Sequence, residues 1–211
     1  MKKFSEEDLQ GMERRFRGSF INSITGFKSL SLVGTADKDG RTNLSVFTQV
    51  FHIGANPGLI GMIVRPDTIP RHTLANLEEM GYYTLNHVTA DFYEQAHQCS
   101  ANYPEEVSEF EATGLTPVYS DGLPAPYVEE SRVRIGLAFA ERHDLEINGT
   151  ILIIGRIMEI FAPEELLKED GYFDLEQAGT VTASGLEGYH TTQMLGRMAY
   201  AKADLPPRKK D

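Results

Sequence analysis

The chain has 211 residues, 41% of them hydrophobic and 24% charged. These proportions suit a soluble globular protein with a substantial core, and no apolar run approaches the ~20 residues of a membrane helix. With 20 basic against 31 acidic side chains the formal net charge is −11, which opposes non-specific binding to nucleic acid or anionic lipid. The opening MKKFSEEDLQ lacks the apolar stretch of a secretory signal. The single cysteine, Cys99, excludes an internal disulfide and fits a reducing cytoplasm, so a cytoplasmic protein is expected.

In chain order, residues 5–17 read as one helix. Ser5 with Asp8 resembles a capping box, and Leu9, Met12 and Phe16 share a face. Ser31 to Ala36 reads as a strand, and Asp39-Gly40 as a tight turn. Arg41 to Ile53 reads as a Val-, Phe- and Thr-rich strand carrying the small polar residues Asn43, Ser45 and Thr48. A turn at Asn56-Pro57-Gly58 leads to an apolar strand, Leu59 to Val64. A helix is expected from about Arg71 to Met80, then a strand from Tyr82 to Asn86.

Thr89 to Gln98 reads as a helix, with Phe92, Ala96 and Cys99 on one face, which makes Cys99 a small buried hydrophobe. Ser100 to Glu111 is acidic and is expected to hold a short helix over the mouth of the domain. Thr113 to Asp121 reads as turn then strand, and Pro124 and Pro126 confine the next strand to an edge or a bend. Ser131–Ile147 and Ile151–Phe161 flank Asn148-Gly149, a hairpin signal. A short helix is expected over Pro163–Lys168, a glycine-rich surface excursion over Gly171–Gly188, and a short, polar, mobile tail from Ala201. No repeat or linker divides residues 1–211. The chain therefore reads as one domain: a helix over 5–17, a core over about 25–161 and an extension over 162–211. Strands without βαβ alternation argue for a mainly β fold, an antiparallel barrel with peripheral helices.

The chemistry suggested by residues 43–76 is anion capture. Arg65, Arg71, His72, Thr68 and Thr73 gather where a strand ends and a helix begins. Unpaired N–H groups at a helix start suit a phosphate, and arginines add paired donors. Asn43, Ser45 and Thr48 can hydrogen-bond a planar polar ring. On spacing alone, an ordinary helix start with solvated arginines explains the cluster equally well. His72 reads either as a phosphate donor or as a structural hydrogen-bonding residue.

Gly34-Thr35-Ala36, Asp39-Gly40, Asn43-Leu44-Ser45-Val46-Phe47-Thr48, Arg65-Pro66, Arg71-His72-Thr73-Leu74-Ala75-Asn76 and Tyr83-Thr84-Leu85-Asn86 occur in the order seen in the flavin reductase-like family, which this chain resembles over roughly residues 25–160. The resemblance implies an antiparallel split β-barrel that binds FMN. It implies that Asn43, Ser45, Val46, Phe47 and Thr48 wrap the flavin ring, while Arg65, Arg71, His72, Thr73 and Asn76 serve the phosphate side. Gly188-Tyr189-His190 and Leu195-Gly196-Arg197-Met198-Ala199-Tyr200 resemble the family's C-terminal segment, which implies Arg197 and Tyr200 near the flavin on its substrate side; His190 could reach the same side, although on the residues alone it is better read as a plain surface histidine. Where relatives often read "dKF", this chain has Ser108-Glu109-Phe110, so no lysine role is carried over. A homodimer is implied, with the 131–161 hairpin and barrel edges as its surfaces.

The expected function is that of an FMN-dependent oxidoreductase. NADH or NADPH would reduce bound flavin, which would pass electrons to a small-molecule substrate, free flavin, oxygen, a partner oxygenase or another acceptor. No acid–base side chain is assigned a catalytic role. The alternative is a non-catalytic FMN-binding or electron-transfer module, because fold alone does not choose between them. There is no G-x-G-x-x-G, no P-loop, no G-x-S-x-G and no Cys/His spacing suited to a metal, so no metal is expected.

Overall fold

The computed structural model describes residues 1–66, 72–104 and 106–210. Two helices, α1 (Glu6–Gly11) and α2 (Arg14–Ile24), open the chain and bury no residue. The capping box at Ser5 and Asp8 is present. The single helix expected over 5–17 is broken at Met12, because the Glu13 carboxylate caps the N–H groups of Arg15 and Phe16 and starts a second helix. Strands β1 (Lys28–Ser29), β2 (Ser31–Ala36), β3 (Thr42–Phe47), β4 (Val50–Ala55) and β5 (Gly58–Val64) follow. The strand expected from Arg41 to Ile53 is thus two strands, interrupted at Thr48-Gln49.

Helix α3 (His72–Met80) and strand β6 (Tyr82–His87) match their expected spans closely. Helix α4 (Tyr93–Gln98) starts later than expected, since Thr89 forms a β-bridge with Thr180. Among the described residues of the acidic segment, α5 (Glu109–Thr113) is the helix, and it ends at Gly114 in the left-handed conformation (φ +72°). Then come β7 (Pro117–Ser120), β8 (Leu123–Val128), β9 (Arg134–Leu145) and β10 (Thr150–Phe161), and after one 3-10 turn at Glu164–Leu166, β11 (Thr182–Ser184) and β12 (Gly188–His190).

Seven strands form one antiparallel sheet in the order β3-β2-β6-β9-β10-β5-β4. Its two outer strands, β3 and β4, are consecutive in the chain and separated only by Thr48 and Gln49. Phe47 and Val50 can then lie at most about 11 Å apart, so the sheet must curl until its ends nearly meet. This is the antiparallel split barrel expected from the sequence.

Two apolar clusters occupy the two sides of the barrel wall. One combines Val33, Leu85, Leu137 and Ile153 with Leu74 and Leu77 of α3. The other packs Leu32 and Leu44 against Phe92, Ala96 and Cys99 beside α4 and against Phe110 of α5. Strand β2 is therefore buried along its whole length. The segment 171–188 is not a surface excursion. Val181 and Ala183 are buried where the chain returns to cover the second cluster, with the Val181 N–H donating to the Val88 carbonyl at 3.0 Å, and Ala178 is buried in a separate cluster with Val133 and Leu166. The tail doubles back, with the Ala199 and Lys210 N–H groups donating to the carbonyls of Arg208 and Arg197.

Strand β8 pairs only with β7 and lies against the main sheet, consistent with the limits set by Pro124 and Pro126. The Thr84 hydroxyl donates to the Pro126 carbonyl at 2.6 Å, and the Val128 N–H donates to Asn86 Oδ1 at 2.9 Å. The approach is so close that a Cβ on Gly34 would stand 2.2 Å from the Pro126 oxygen. Main chain cannot yield as a flexible side chain can. Gly34→Ala should destabilise the fold by about 1–3 kcal/mol, measured as a lower urea midpoint with unchanged slope.

Burial also pushes the His87 imidazole down to about 4 from its ordinary 6.5. Between those values the unfolded chain binds a proton that the folded chain refuses, so stability falls as pH is lowered through this window. A thermal-melt series from neutral pH to about pH 4 should lose at most about 3 kcal/mol through this group. His87→Gln should flatten that part of the curve.

Candidate functional site

Residues Thr35 and Asn43 face each other across β2 and β3. Thr73 and Asn76 are three residues apart at the start of α3 and share a face. These three elements bring four polar side chains into one buried cluster, all at most 9% exposed. Asn43 Nδ2 donates to Thr73 Oγ1 at 2.9 Å, Thr73 Oγ1 donates to Ser45 Oγ at 3.0 Å, and Asn76 Nδ2 donates to Thr35 Oγ1 at 3.3 Å. Buried polar groups persist when they satisfy one another. Here they lock α3 to β2 and β3.

Above this cluster opens a cleft lined by the β2–β3 turn, by His72, Asn76 and Glu79 of α3, and by Glu109 of α5. The turn is well built. The Asp37 carboxylate accepts the N–H groups of Asp39 and Arg41 and pairs with the Arg41 guanidinium at 2.7 Å, and the Arg41 N–H bond contributes most to holding its pKa below the usual carboxylate value. Four carboxylates line the cleft, Asp37, Asp39, Glu79 and Glu109, against Lys38, Arg41 and His72.

Glu109 makes the most informative contact. Its Oε2 accepts the Leu44 N–H at 2.8 Å, while Thr42 and Ser108 share a hydroxyl bond at 2.7 Å. Burial raises the Glu109 pKa above its ordinary value, and the Leu44 N–H and the charge of His72 act in opposition. Strand β3 is an end strand of the sheet, and the Leu44 bond shows that its even-numbered N–H groups turn away from β2. By the alternation of an antiparallel ladder the Val46 N–H points to the same open edge.

Val46 packs on the second cluster and Phe47 on the first, while half-buried Thr48 begins the link to β4. Arg65 is exposed directly after β5. Arg71 and Thr68 lie outside the described residues. Thr73 and Asn76 are brought together with Asn43 and Ser45, as described above, and His72 lines the cleft beside them. The three residues assigned to the substrate side are placed elsewhere. His190 Nε2 bonds Ser184 Oγ at 2.8 Å and its ring meets Phe27 edge-on. Arg197 binds Asp170 at 2.5 Å and stacks over Tyr172. Tyr200 is 94% exposed. None of the three lines this cleft.

Glu109 was not among the sequence candidates. It lies 65 residues from Leu44, and no local motif announces a bond to a distant main-chain N–H. Cys99 is buried, and burial pushes its thiol up to about 12, as befits an inert packing residue. Among the described residues no group of His, Cys, Asp and Glu side chains is arranged to hold a metal, and no helix is long and apolar enough to cross a membrane.

A flavin reductase like domain model matches residues 26–180. A Shewanella frigidimarina NCIMB 400 structure, described as a candidate flavin reductase with a split barrel domain, is 48% identical. It covers 95% of this chain and 100% of its own, with a TM-score of 0.92. Flavoredoxin of Desulfovibrio vulgaris (Miyazaki F) is 27% identical over 84% of this chain and 91% of its own, with a TM-score of 0.68. Nitrilotriacetate monooxygenase component B from Bacillus cereus shares the fold at 20% identity, covering 92% of this chain and 96% of its own, with a TM-score of 0.80. With the barrel, the β3 edge and the α3 start already in place, the family match over most of the chain makes this protein a member of the flavin reductase like family of flavin-related oxidoreductases.

Proposed function

We propose that the chain is an FMN-dependent reductase that takes electrons from NADH or NADPH and delivers them to a small-molecule acceptor, free flavin, oxygen or a partner protein. The observation that carries this reading is the open edge of β3 beside the start of α3. A free edge strand offers N–H groups to a planar ring bearing carbonyl and nitrogen acceptors, and a helix start offers N–H groups to a phosphate. The residues fit a flavin in this respect: the Val46 N–H points outward, and the Asn43–Thr73 bond fixes the distance between strand and helix.

Bound FMN would supply the two-electron redox chemistry. The chain's own part is to hold and orient it. Asn43, Ser45, Val46, Phe47 and Thr48 line the ring, with the edge N–H groups stabilising negative charge on the reduced ring. Arg65, Arg71, His72, Thr73 and Asn76 hold the phosphate side. His190, Arg197 and Tyr200 approach the substrate only if the C-terminal segment or a second copy brings them there.

A homodimer is part of the reading. Phe51 and Ile53 on β4 and Met158 and Ile160 on β10 are 40–57% exposed, an apolar surface that a second copy would cover. The shared fold with a monooxygenase component supports a partner oxygenase as acceptor. The single buried cysteine supports a cytoplasmic location.

The test is direct. FMN-loaded protein should bleach in the visible when NADH or NADPH is added without oxygen. Bound flavin that stays oxidised would assign the chain as a carrier reduced by another protein. Replacing Arg65 by Ala and Thr73 by Val together should weaken FMN binding roughly 10- to 100-fold, the first by losing a charge-assisted phosphate bond and the second by loosening the hold of α3 on β3. The far-UV circular dichroism should be retained. Unchanged FMN affinity in the double variant sinks the site assignment.

A further inference from the structure

We infer that Glu109 is a positioning residue that sets the reduction potential of the flavin, holding it on the reducing side by a carboxylate fixed next to the ring-contacting edge of β3. The inference rests on the flavin reading above. Glu109 is not a loose surface acid. Its Oε2 is tied to the Leu44 N–H at 2.8 Å, its neighbour Ser108 bonds Thr42, and the next residue, Phe110, is 2% exposed in the apolar cluster beneath. Short helix α5 is therefore clamped to β3, and the carboxylate has one place to be.

That place lies beside the ring. The Leu44 and Val46 N–H groups point to the same edge, two residues or about 7 Å apart along the strand. A flavin held by the Val46 N–H has the Glu109 carboxylate as its neighbour. Half-buried charges are weakly screened, so a fixed carboxylate at this range acts strongly. Two-electron reduction adds negative charge to the ring, which the carboxylate opposes. The potential is lowered and the bound flavin becomes the stronger reductant. No proton or bond is exchanged with Glu109; its effect is electrostatic.

The other charged groups on the cleft are Asp37, Asp39, Glu79, Lys38, Arg41 and His72. Asp37 and Arg41 are paired with each other, and Lys38 pairs with Asp39. His72 faces Glu109 and partly offsets it, while burial keeps the Glu109 pKa above its ordinary value. The effect of Glu109 is therefore gated by pH. It is present when the carboxylate is ionised and lost as pH falls through its raised pKa.

The experiment is a redox titration of FMN-loaded protein against a reference dye. Glu109→Gln removes the charge but keeps a side-chain oxygen for the Leu44 N–H. Glu111→Gln makes the same change of net charge at an exposed position on the same helix. At mildly alkaline pH, E109Q should have a more positive potential than the wild type, and E111Q should match the wild type. The gap between E109Q and wild type should close as pH falls, because a protonated Glu is as neutral as Gln. A loaded E109Q with the wild-type potential, or equal shifts in both variants, overturns the inference. Should E109Q fail to fold or load, the wild type alone decides. Its potential must depart from the pH slope of free FMN across the ionisation of Glu109, and a parallel slope overturns the idea. A wild-type protein that binds no flavin sinks this inference and the flavin reading together, whereas normal flavin reduction with an unmoved potential sinks the inference only.

Discussion

The structure depends on the two-residue link between β3 and β4. These strands are the outer members of a seven-stranded sheet, yet only Thr48 and Gln49 join them. The link forces the sheet to curl, brings its ends together and leaves β3 without a strand partner on its outer side. An unpaired edge is ordinarily a liability, open to pairing with other chains. Here α5 blocks part of it through the Glu109–Leu44 bond. The part beyond, at Val46, is the ligand-facing edge in the proposed site.

The buried cluster of Thr35, Asn43, Thr73 and Asn76 is the second support. It converts a loose approach of helix to strand into a fixed one, because each polar group would be costly to leave unpaired. The resulting cleft lies in an acidic protein and is itself rich in carboxylates. Any phosphate held at the start of α3 must therefore be matched locally by N–H groups and by the arginines flanking that segment. The long-range field of the chain does not favour it.

The outer layer explains why the barrel wall is buried on both faces. Strand β8 lies so close to Gly34 that no Cβ fits there, and Val181 and Ala183 return to cover the cluster beside α4. Neither contact is local in sequence. The same is true of the pairing of Arg197 with Asp170, 27 positions apart.

Local signals in the sequence set much of the framework. Apolar runs bounded by turn signals placed β2, β5, β6, β9 and β10 within a residue or a few of their observed ends. Asp39-Gly40 and Asn148-Gly149 marked real turns, with Gly40 and Gly149 at positive φ. The ordered motifs from Gly34 to Asn86 pointed to the split barrel and to the polar residues that meet at its mouth. What the sequence could not determine was set by contacts between distant segments. Helix 5–17 breaks because a side chain caps a second helix start, and the apparent coil of 171–188 buries Val181 and Ala183 because they cover the second cluster. Glu109 reached the site only when tertiary folding laid α5 along β3. Local propensity is written in neighbouring residues, whereas burial and main-chain pairing across 65 positions exist only once the sheet has closed.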